Sequence, residues 1–283
     1  MMGKLVDKLR QVGQAGSGGL GFLARAQTQK PRPAAIFVSI GAGDTAAAEA
    51  ALKSGADGVI VSGWTRDTDL SALTAAAAAA SAVLGVALAA EGVSGQDELA
   101  AARTAGASFA VADPATPARL LFEDVDQLDL VVTVDMPHDD LGLVLLRGEN
   151  LLPAHAALLR APLRNADLAR LTVADFARLR LARESLRFPT LAPLAEAPDA
   201  ANVRLLVRLG LNGLILPGEG VSASALGAQI KALREELEKT PAEDSGRGSI
   251  AIGGLMEAAG QSPHPPQQPH PTRREPQREP DEE

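Results

Sequence analysis

A ten-residue segment of this chain occurs in three near-copies at a regular spacing. The copies run from Leu52 to Val61, from Ala102 to Val111 and from Val207 to Leu216. Each has the pattern that is typical of the end of an amphipathic helix, a glycine stop, a small polar residue and a short apolar run. This order predicts a helix that leads through a tight turn into a buried parallel strand.

The glycines that end the three helices define the period of the repeat. Gly55 and Gly106 are 51 residues apart, whereas Gly106 and Gly210 are 104 apart, about twice as far. A fourth copy is therefore expected between them, and residues 153–159 supply a degraded one.

The number of repeats decides between two α/β folds. Strand and helix signals alternate from residue 34 to residue 239, which leaves room for eight strand–helix pairs, two to each period. A doubly wound open sheet is disfavoured because the period continues to a fourth copy. The sequence predicts one small (β/α)8 barrel of the TIM type, a fold that needs at least about 200 residues.

The two ends of the chain differ from this central region. The pattern of residues 3–12 predicts a helix that plugs the bottom of the barrel, and the first segment, 1–33, ends in a connector. Residues 263–283 are dominated by Pro, Gln, His, Arg and Glu, a composition that cannot bury enough apolar surface to fold. We therefore expect a barrel over 34–239 and a disordered tail over 240–283.

Composition excludes several classes of function. The chain has no cysteine, which excludes disulfides, thiolate metal sites and a cysteine nucleophile. Its net charge of −8 is the wrong sign for a nucleic-acid or anionic membrane surface. No apolar run has the length of a signal peptide core or a membrane span. We expect a cytoplasmic protein with neither nucleic acid nor membrane as a partner.

Acidic residues close three consecutive predicted strands, where barrel enzymes place their reacting groups. Glu91, Asp113 and Asp135 are candidate ligands of one Mg²⁺ or Mn²⁺, which prefer oxygen, and His138 is a candidate further ligand or catalytic base. The alternative is that Asp113 and Asp135 only cap turns, because a proline follows each within two residues.

These acids resemble the metal site of the enolase superfamily, which also draws carboxylates from the third, fourth and fifth strands. The resemblance implies a divalent metal and proton transfer next to it. The catalytic bases on other strands and the separate capping domain of that superfamily have no counterpart in this sequence.

Glycines after the eighth predicted strand indicate a second kind of site. Gly218 and Gly220 stand where barrels hold phosphate with backbone amides, and Arg160 at the end of strand six suits an anionic group or a neighbouring acid. The stretch from Gly55 through Asp57 to the apolar strand resembles phosphate-binding barrels such as the indole-glycerol-phosphate synthase-like enzymes. The resemblance implies their architecture, with no specific family matched and no catalytic residue carried over.

Two classes of function follow from these features. The first is a divalent-metal-dependent lyase or isomerase that binds a small anionic substrate at the C-terminal face of the barrel. The second is a barrel without catalysis that acts as a binding or interaction scaffold. The six lysines fall outside the predicted strand ends, so a Schiff-base mechanism is excluded in either case.

Overall fold

The computed structural model describes residues 3–14, 32–88, 96–123, 125–137 and 139–240, and the predicted barrel is confirmed. Eight parallel strands pair in sequence order, and the last pairs with the first. The strands are β1 (Ala35–Gly41), β2 (Gly58–Ser62), β3 (Val83–Ala87), β4 (Phe109–Ala112), β5 (Asp129–Val134), β6 (Ala156–Leu159), β7 (Thr190–Pro193) and β8 (Gly213–Pro217).

The helices surround this barrel, apart from the first, which precedes β1. They are α1 (Lys4–Gln14), α2 (Thr45–Lys53), α3 (Ser71–Ala79), α4 (Gln96–Thr104), α5 (Asp140–Gly148), α6 (Asn165–Ala169), α7 (Val173–Ser185), α8 (Ala200–Arg208) and α9 (Ala223–Lys239). Between β4 and β5 the described residues form only a 3₁₀ turn, Ala118–Phe122. In the part of the chain that is described, no helix is long and apolar enough to cross a bilayer.

The glycine stops of the repeat have the backbone conformation that the sequence predicts. Gly55, Gly106 and Gly210 have φ values of 96°, 97° and 78°, in the left-handed region that residues with a Cβ rarely adopt. Each glycine follows a helix and lies three residues before a strand. The repeat therefore corresponds to the end of one helix and the strand that follows it.

The small polar residue of each repeat joins an even-numbered strand to the odd-numbered strand before it. Asp57 donates its amide to the Ile36 carbonyl at 2.7 Å, and its carboxylate accepts the Ile36 amide at 2.9 Å. Asn212 forms the same pair with Thr190, at 2.8 Å through the backbone and 2.9 Å through its side-chain oxygen.

The degraded fourth copy uses a histidine for the same purpose. His155 donates its amide to the Leu130 carbonyl at 2.8 Å, and its Nδ1 accepts the Leu130 amide at 3.0 Å. An acceptor nitrogen carries no proton, so the neutral ring is protonated at Nε2. Residues 153–159 are therefore the expected copy, with an imidazole nitrogen in place of a carboxylate or amide oxygen.

Large side chains fill the barrel where neighbouring strands carry glycine. The rings of Phe37 and Phe109 meet edge to face, with centroids 6.2 Å apart. A Cβ on Gly58 would lie 2.7 Å from the Phe37 ring, and one on Gly85 would lie 2.2 Å from the Phe109 ring. Gly58 and Gly85 therefore leave the volume that the two aromatic rings occupy.

The first helix closes the N-terminal end of the barrel, as predicted. Leu5 and Leu9 are buried together with the inward-facing strand residues. The buried carboxylate of Asp129 accepts the amides of Leu5 at 2.9 Å and Val6 at 3.3 Å, which satisfies two donors of the first helical turn. The predicted tail beyond Thr240 and most of the predicted connector before Arg32 lie outside the described residues.

We expect His155→Leu to lower the free energy of unfolding by about 1–3 kcal/mol, because it leaves the buried Leu130 amide without an acceptor. His155→Asn should recover most of this loss, since Asn212 serves the same purpose with an amide oxygen. Urea unfolding followed by the fluorescence of Trp64, the single tryptophan, measures both variants. Equal losses for Leu and Asn would contradict the proposed role of the ring nitrogen.

Candidate functional site

The C-terminal ends of the strands form one rim of the barrel, which we call the mouth. Asp113 directly follows β4, Asp135 follows β5 and Arg160 follows β6, so these three predicted site residues stand side by side. Gly218 and Gly220 follow β8 on another part of the rim. The predicted Glu91 and His138 lie outside the described residues.

Arg160 lies between the two aspartates. Its Nε is 2.8 Å from Oδ1 of Asp135, and its Nη1 is 3.5 Å from Oδ2 of Asp113. Of the two roles that the sequence allows Arg160, the structure shows the pairing with neighbouring acids. The three side chains are 36 to 69% exposed, so water screens this network.

Asp113 also caps the turn that follows its strand. Its Oδ1 accepts the amide of Ala115 at 2.9 Å, and its carbonyl accepts the amide of Thr116 at 2.8 Å. Asp113 therefore caps the turn, as Pro114 directly after it predicts. Asp113 therefore holds a turn with one oxygen and faces Arg160 with the other.

The described part of the mouth does not gather a set of metal ligands. Among the described residues, no three histidine, aspartate or glutamate side chains come together in a way that could hold a metal ion. A cation that used both Asp113 and Asp135 would first have to displace the Arg160 guanidinium. With Glu91 and His138 outside the described residues, the four-residue metal site stays a prediction.

The turn between β8 and α9 approaches β1 closely. The Gly218 amide donates to the Ser39 carbonyl at 2.7 Å, and a Cβ on Gly218 would lie 2.8 Å from that oxygen. Gly220 has a φ of 73°, and Ser222 begins α9 by accepting the Ala225 amide at 3.3 Å. The turn thus brings backbone amides and the positive end of a 17-residue helix to the rim.

The two acids near this turn are placed differently. Glu196, on the β7–α8 loop, accepts the Asn165 amide at 2.9 Å and so caps the start of α6. Glu219 is exposed within the turn itself, and its Oε1 lies near Gly41. Only Glu219, of these two, has a carboxylate at the candidate phosphate position.

The structure adds a hydroxyl pair that the sequence does not reveal. The Oγ atoms of Ser39 and Ser62 are 3.0 Å apart at the ends of β1 and β2. Ser62 is the last residue of β2 and Ser39 lies two residues before the end of β1, and their contact depends on the register that pairs Gly41 with Ser62. The pair lies beside the β8–α9 turn, since the Ser39 carbonyl accepts the Gly218 amide.

Glu149 is a second residue that sequence reasoning misses. Burial raises the pKa of its carboxyl, and the negative charge of Asp135 raises that pKa further. Glu149 follows α5, which has only nine residues. No sequence motif marks Glu149, because its proximity to Asp135 depends on the short length of α5.

The barrel is similar to several solved structures of enzymes. They include (S)-3-O-geranylgeranylglyceryl phosphate synthase from Thermoplasma acidophilum in complex with its substrate sn-glycerol-1-phosphate (TM-score 0.56, 11% identity, 85% of this chain and 100% of that chain). Thiamine phosphate pyrophosphorylase from Pyrococcus furiosus matches with a TM-score of 0.55 and 16% identity over 74% of this chain and 97% of that chain. Tryptophan synthase from M. tuberculosis matches with a TM-score of 0.55 and 14% identity over 84% of this chain and 99% of that chain.

These likenesses establish the fold of the chain. No protein-family model and no curated protein matches it. The chain has the TIM-barrel fold, and at identities of 11 to 16% the similarity extends to architecture alone.

We expect Asp135→Asn to change the free energy of unfolding by less than about 1 kcal/mol, because the pair it makes with Arg160 is largely exposed. Asp113→Asn should also cost little, since an asparagine oxygen can still accept the Ala115 amide. Asp113→Ala removes that acceptor and should cost about 0.5–1.5 kcal/mol. Urea unfolding measures all three, and a loss above about 2 kcal/mol for Asp135→Asn would show that the pair is structural.

We expect Glu149→Gln to stabilise the fold at neutral pH. The raised pKa means that the folded chain holds this proton more tightly than the unfolded chain, so stability falls as pH rises from the unfolded pKa of about 4.3 through the folded one. The melting temperature of Glu149→Gln should exceed that of the original chain at pH 7, and the difference should vanish below about pH 4. Glu235→Gln, at an exposed position on α9, is the control; a difference independent of pH would contradict the assignment.

Proposed function

We propose that the chain is an enzyme, a lyase or isomerase, that acts on a small phosphorylated substrate at the mouth of the barrel. The observation that carries this proposal is the turn between β8 and α9. TIM-barrel enzymes commonly bind phosphate with the loops after strands seven and eight and with a helix N-terminus. Gly220 and the start of α9 offer that combination in this chain, and Gly218 fixes the turn against β1 by donating its amide to the Ser39 carbonyl.

The local electrostatics support an anion at this turn. The first amides of a helix have no partner within the helix, and the helix dipole favours a negative group in front of them. Ser222 satisfies one amide only, that of Ala225. Glu196 is held at α6 and therefore does not compete for the position, so that Glu219 is the acid that opposes an anion there.

The opposite part of the mouth supports a role in proton transfer. Asp135 is exposed, and the 2.8 Å contact with Arg160 fixes its orientation. We assign it the role of general base, with Arg160 as the residue that positions it. The described lysines lie on α1, α2 and α9, which supports a mechanism without a Schiff base.

Dependence on Mg²⁺ or Mn²⁺ forms the finer part of the proposal. In a metal-dependent form of the mechanism, Asp113, Asp135 and Glu91 would be the ligands, and the cation would replace the Arg160 guanidinium between the two aspartates. His138 would then be the base in place of Asp135. The choice of a phosphorylated substrate also follows by analogy from the structural neighbour that contains sn-glycerol-1-phosphate. The hydroxyl pair of Ser39 and Ser62 lies beside the turn and suits a hydroxyl-bearing substrate.

Titration calorimetry with inorganic phosphate and with sn-glycerol-1-phosphate tests the site. We expect saturable binding, and Glu219→Gln should strengthen it roughly threefold to tenfold at low salt, because a carboxylate in the same turn as the bound anion is removed. Glu235→Gln removes the same charge at an exposed position near the other end of α9 and should leave the affinity unchanged. Equal effects of both variants would mean that the anion does not bind at the turn.

The same titration separates the remaining alternatives. Repeating it with Mg²⁺ or Mn²⁺ should strengthen binding if the metal takes part, and Asp135→Asn should abolish that gain. If neither phosphate compound binds to the folded chain, the enzyme proposal fails and the scaffold function gains support.

A further inference from the structure

A cleft of about 350 Å³ opens at the N-terminal end of the barrel, the end opposite the mouth. It lies between the residue before α1, the loop that leads into β5 and the residues before β6. Clefts of about 300–1,000 Å³ are of the size that holds small organic ligands. The residues that line it include the apolar Leu99 and Leu121 and the polar Glu123, Asp126, Asp129 and His155. We call it the N-terminal cleft.

Asp129 lines this cleft with a carboxylate that has one free oxygen. The side chain is 1% exposed, and its Oδ2 accepts the amides of Leu5 and Val6. Gly3 covers another side of the carboxylate, since a Cβ there would lie 2.2 Å from Oδ1. Within the described part of the chain no group donates a hydrogen bond to Oδ1. A buried acceptor without a donor raises the free energy of the fold, so Oδ1 is available to a donor in the cleft.

His155 places a donor opposite this acceptor. Its Nδ1 accepts the Leu130 amide, so the neutral ring carries its proton on Nε2, which lies 4.0 Å from Oδ1 of Asp129. That distance is too long for a direct hydrogen bond, whereas one oxygen atom about 2.8 Å from both would bridge them. A hydroxyl accepts from Nε2 and donates to Oδ1 at once, which neither an ammonium nor a carboxylate can do. Water forms the same bridge, so a ligand hydroxyl here gives orientation more than affinity.

The charges of the cleft favour a cation in another part of the same ligand. Three carboxylates line it, and none of its described lining residues is a lysine or an arginine. Glu123 is half-buried and Asp126 is exposed on the loop before β5, so both lie nearer to solvent than Asp129. Carboxylates that share a cleft with apolar walls attract positive ions. An ammonium is therefore favoured there, and a phosphate or a carboxylate is repelled.

We infer that the N-terminal cleft binds an amino alcohol with an apolar body. The hydroxyl bridges His155 and Asp129. The ammonium lies near Glu123 and Asp126, and the apolar body contacts the walls of the cleft. This class of ligand is opposite in charge to the phosphorylated substrate proposed at the mouth, and the two sites share no residue. The two ends of the barrel would thus bind different molecules.

Titration of the full chain with phenylalaninol in an amine-free buffer tests this inference. We expect saturable binding with a Kd of about 1 mM or below, the range open to a ligand of this size. Phenethylamine lacks the hydroxyl and should bind about threefold more weakly, since water takes its place. Hydrocinnamyl alcohol lacks the ammonium and should bind at least about tenfold more weakly at low salt. The ring nitrogen signals of His155 in NMR spectra should shift on binding, and His155→Asn identifies them among those of the four histidines.

Substitutions of the lining residues locate the ligand. Glu123→Gln and Asp126→Asn should each weaken phenylalaninol binding about threefold to tenfold at low salt, because each removes a carboxylate beside the ammonium. Glu235→Gln removes the same charge from the exposed side of α9 and, as the matched control, should leave the affinity unchanged. His155→Asn keeps an acceptor for the Leu130 amide but removes the ring N–H, so phenylalaninol and phenethylamine should then bind equally.

Three results overturn the inference. The first is a folded chain that binds none of the three compounds at about 10 mM. The second is binding that Glu123→Gln and Asp126→Asn both leave unchanged. The third is equal affinity of the original chain for all three compounds, which would show adsorption of their apolar part alone.

Discussion

The architecture depends on a hydrogen-bonded junction at the start of its even-numbered strands. The backbone amides of Ile36, Leu130 and Thr190 lie in a buried region at the starts of β1, β5 and β7, where an unsatisfied donor costs about 1–3 kcal/mol. Asp57, His155 and Asn212 each accept such an amide with a side chain and return a backbone bond to the same residue. A carboxylate, an imidazole and an amide side chain thus each accept a backbone amide at the same kind of position in the barrel. At Asp57 the carboxylate also accepts from the buried Arg32 at 2.9 Å.

The two ends of the barrel therefore differ in how firmly their polar groups are held. At the N-terminal end, Asp57 and Asp129 are nearly inaccessible to solvent and accept hydrogen bonds from backbone amides, and α1 covers the barrel interior. At the mouth, Arg160 and the acids that it contacts are 36 to 69% exposed. Polar groups that water can reach are able to exchange partners at little cost, which a binding site requires. This asymmetry supports the proposed site at the mouth, the end where TIM-barrel enzymes hold their reacting groups.

The sequence predicts the strands better than the site. A strand depends on residues that are neighbours in the sequence, whereas the site depends on residues that are far apart in it. Each glycine stop and the apolar run after it are local, so the three copies of the repeat coincide with the ends of α2, α4 and α8 and with the strands that follow them, β2, β4 and β8. Contacts at the mouth depend on register and connection length. The pairing of Ser39 with Ser62 needs the β1–β2 register, and the influence of Asp135 on Glu149 needs a nine-residue α5. The role of His155 was equally hidden, because nothing in its sequence shows that a ring nitrogen replaces an oxygen.

Exposed apolar side chains and the candidate catalytic groups lie on the same part of the chain. The connection that contains α5 begins at Asp135, and the one that contains α6 and α7 begins at Arg160. These connections, together with the 3₁₀ turn after β4, also carry the large apolar side chains that are exposed among the described residues.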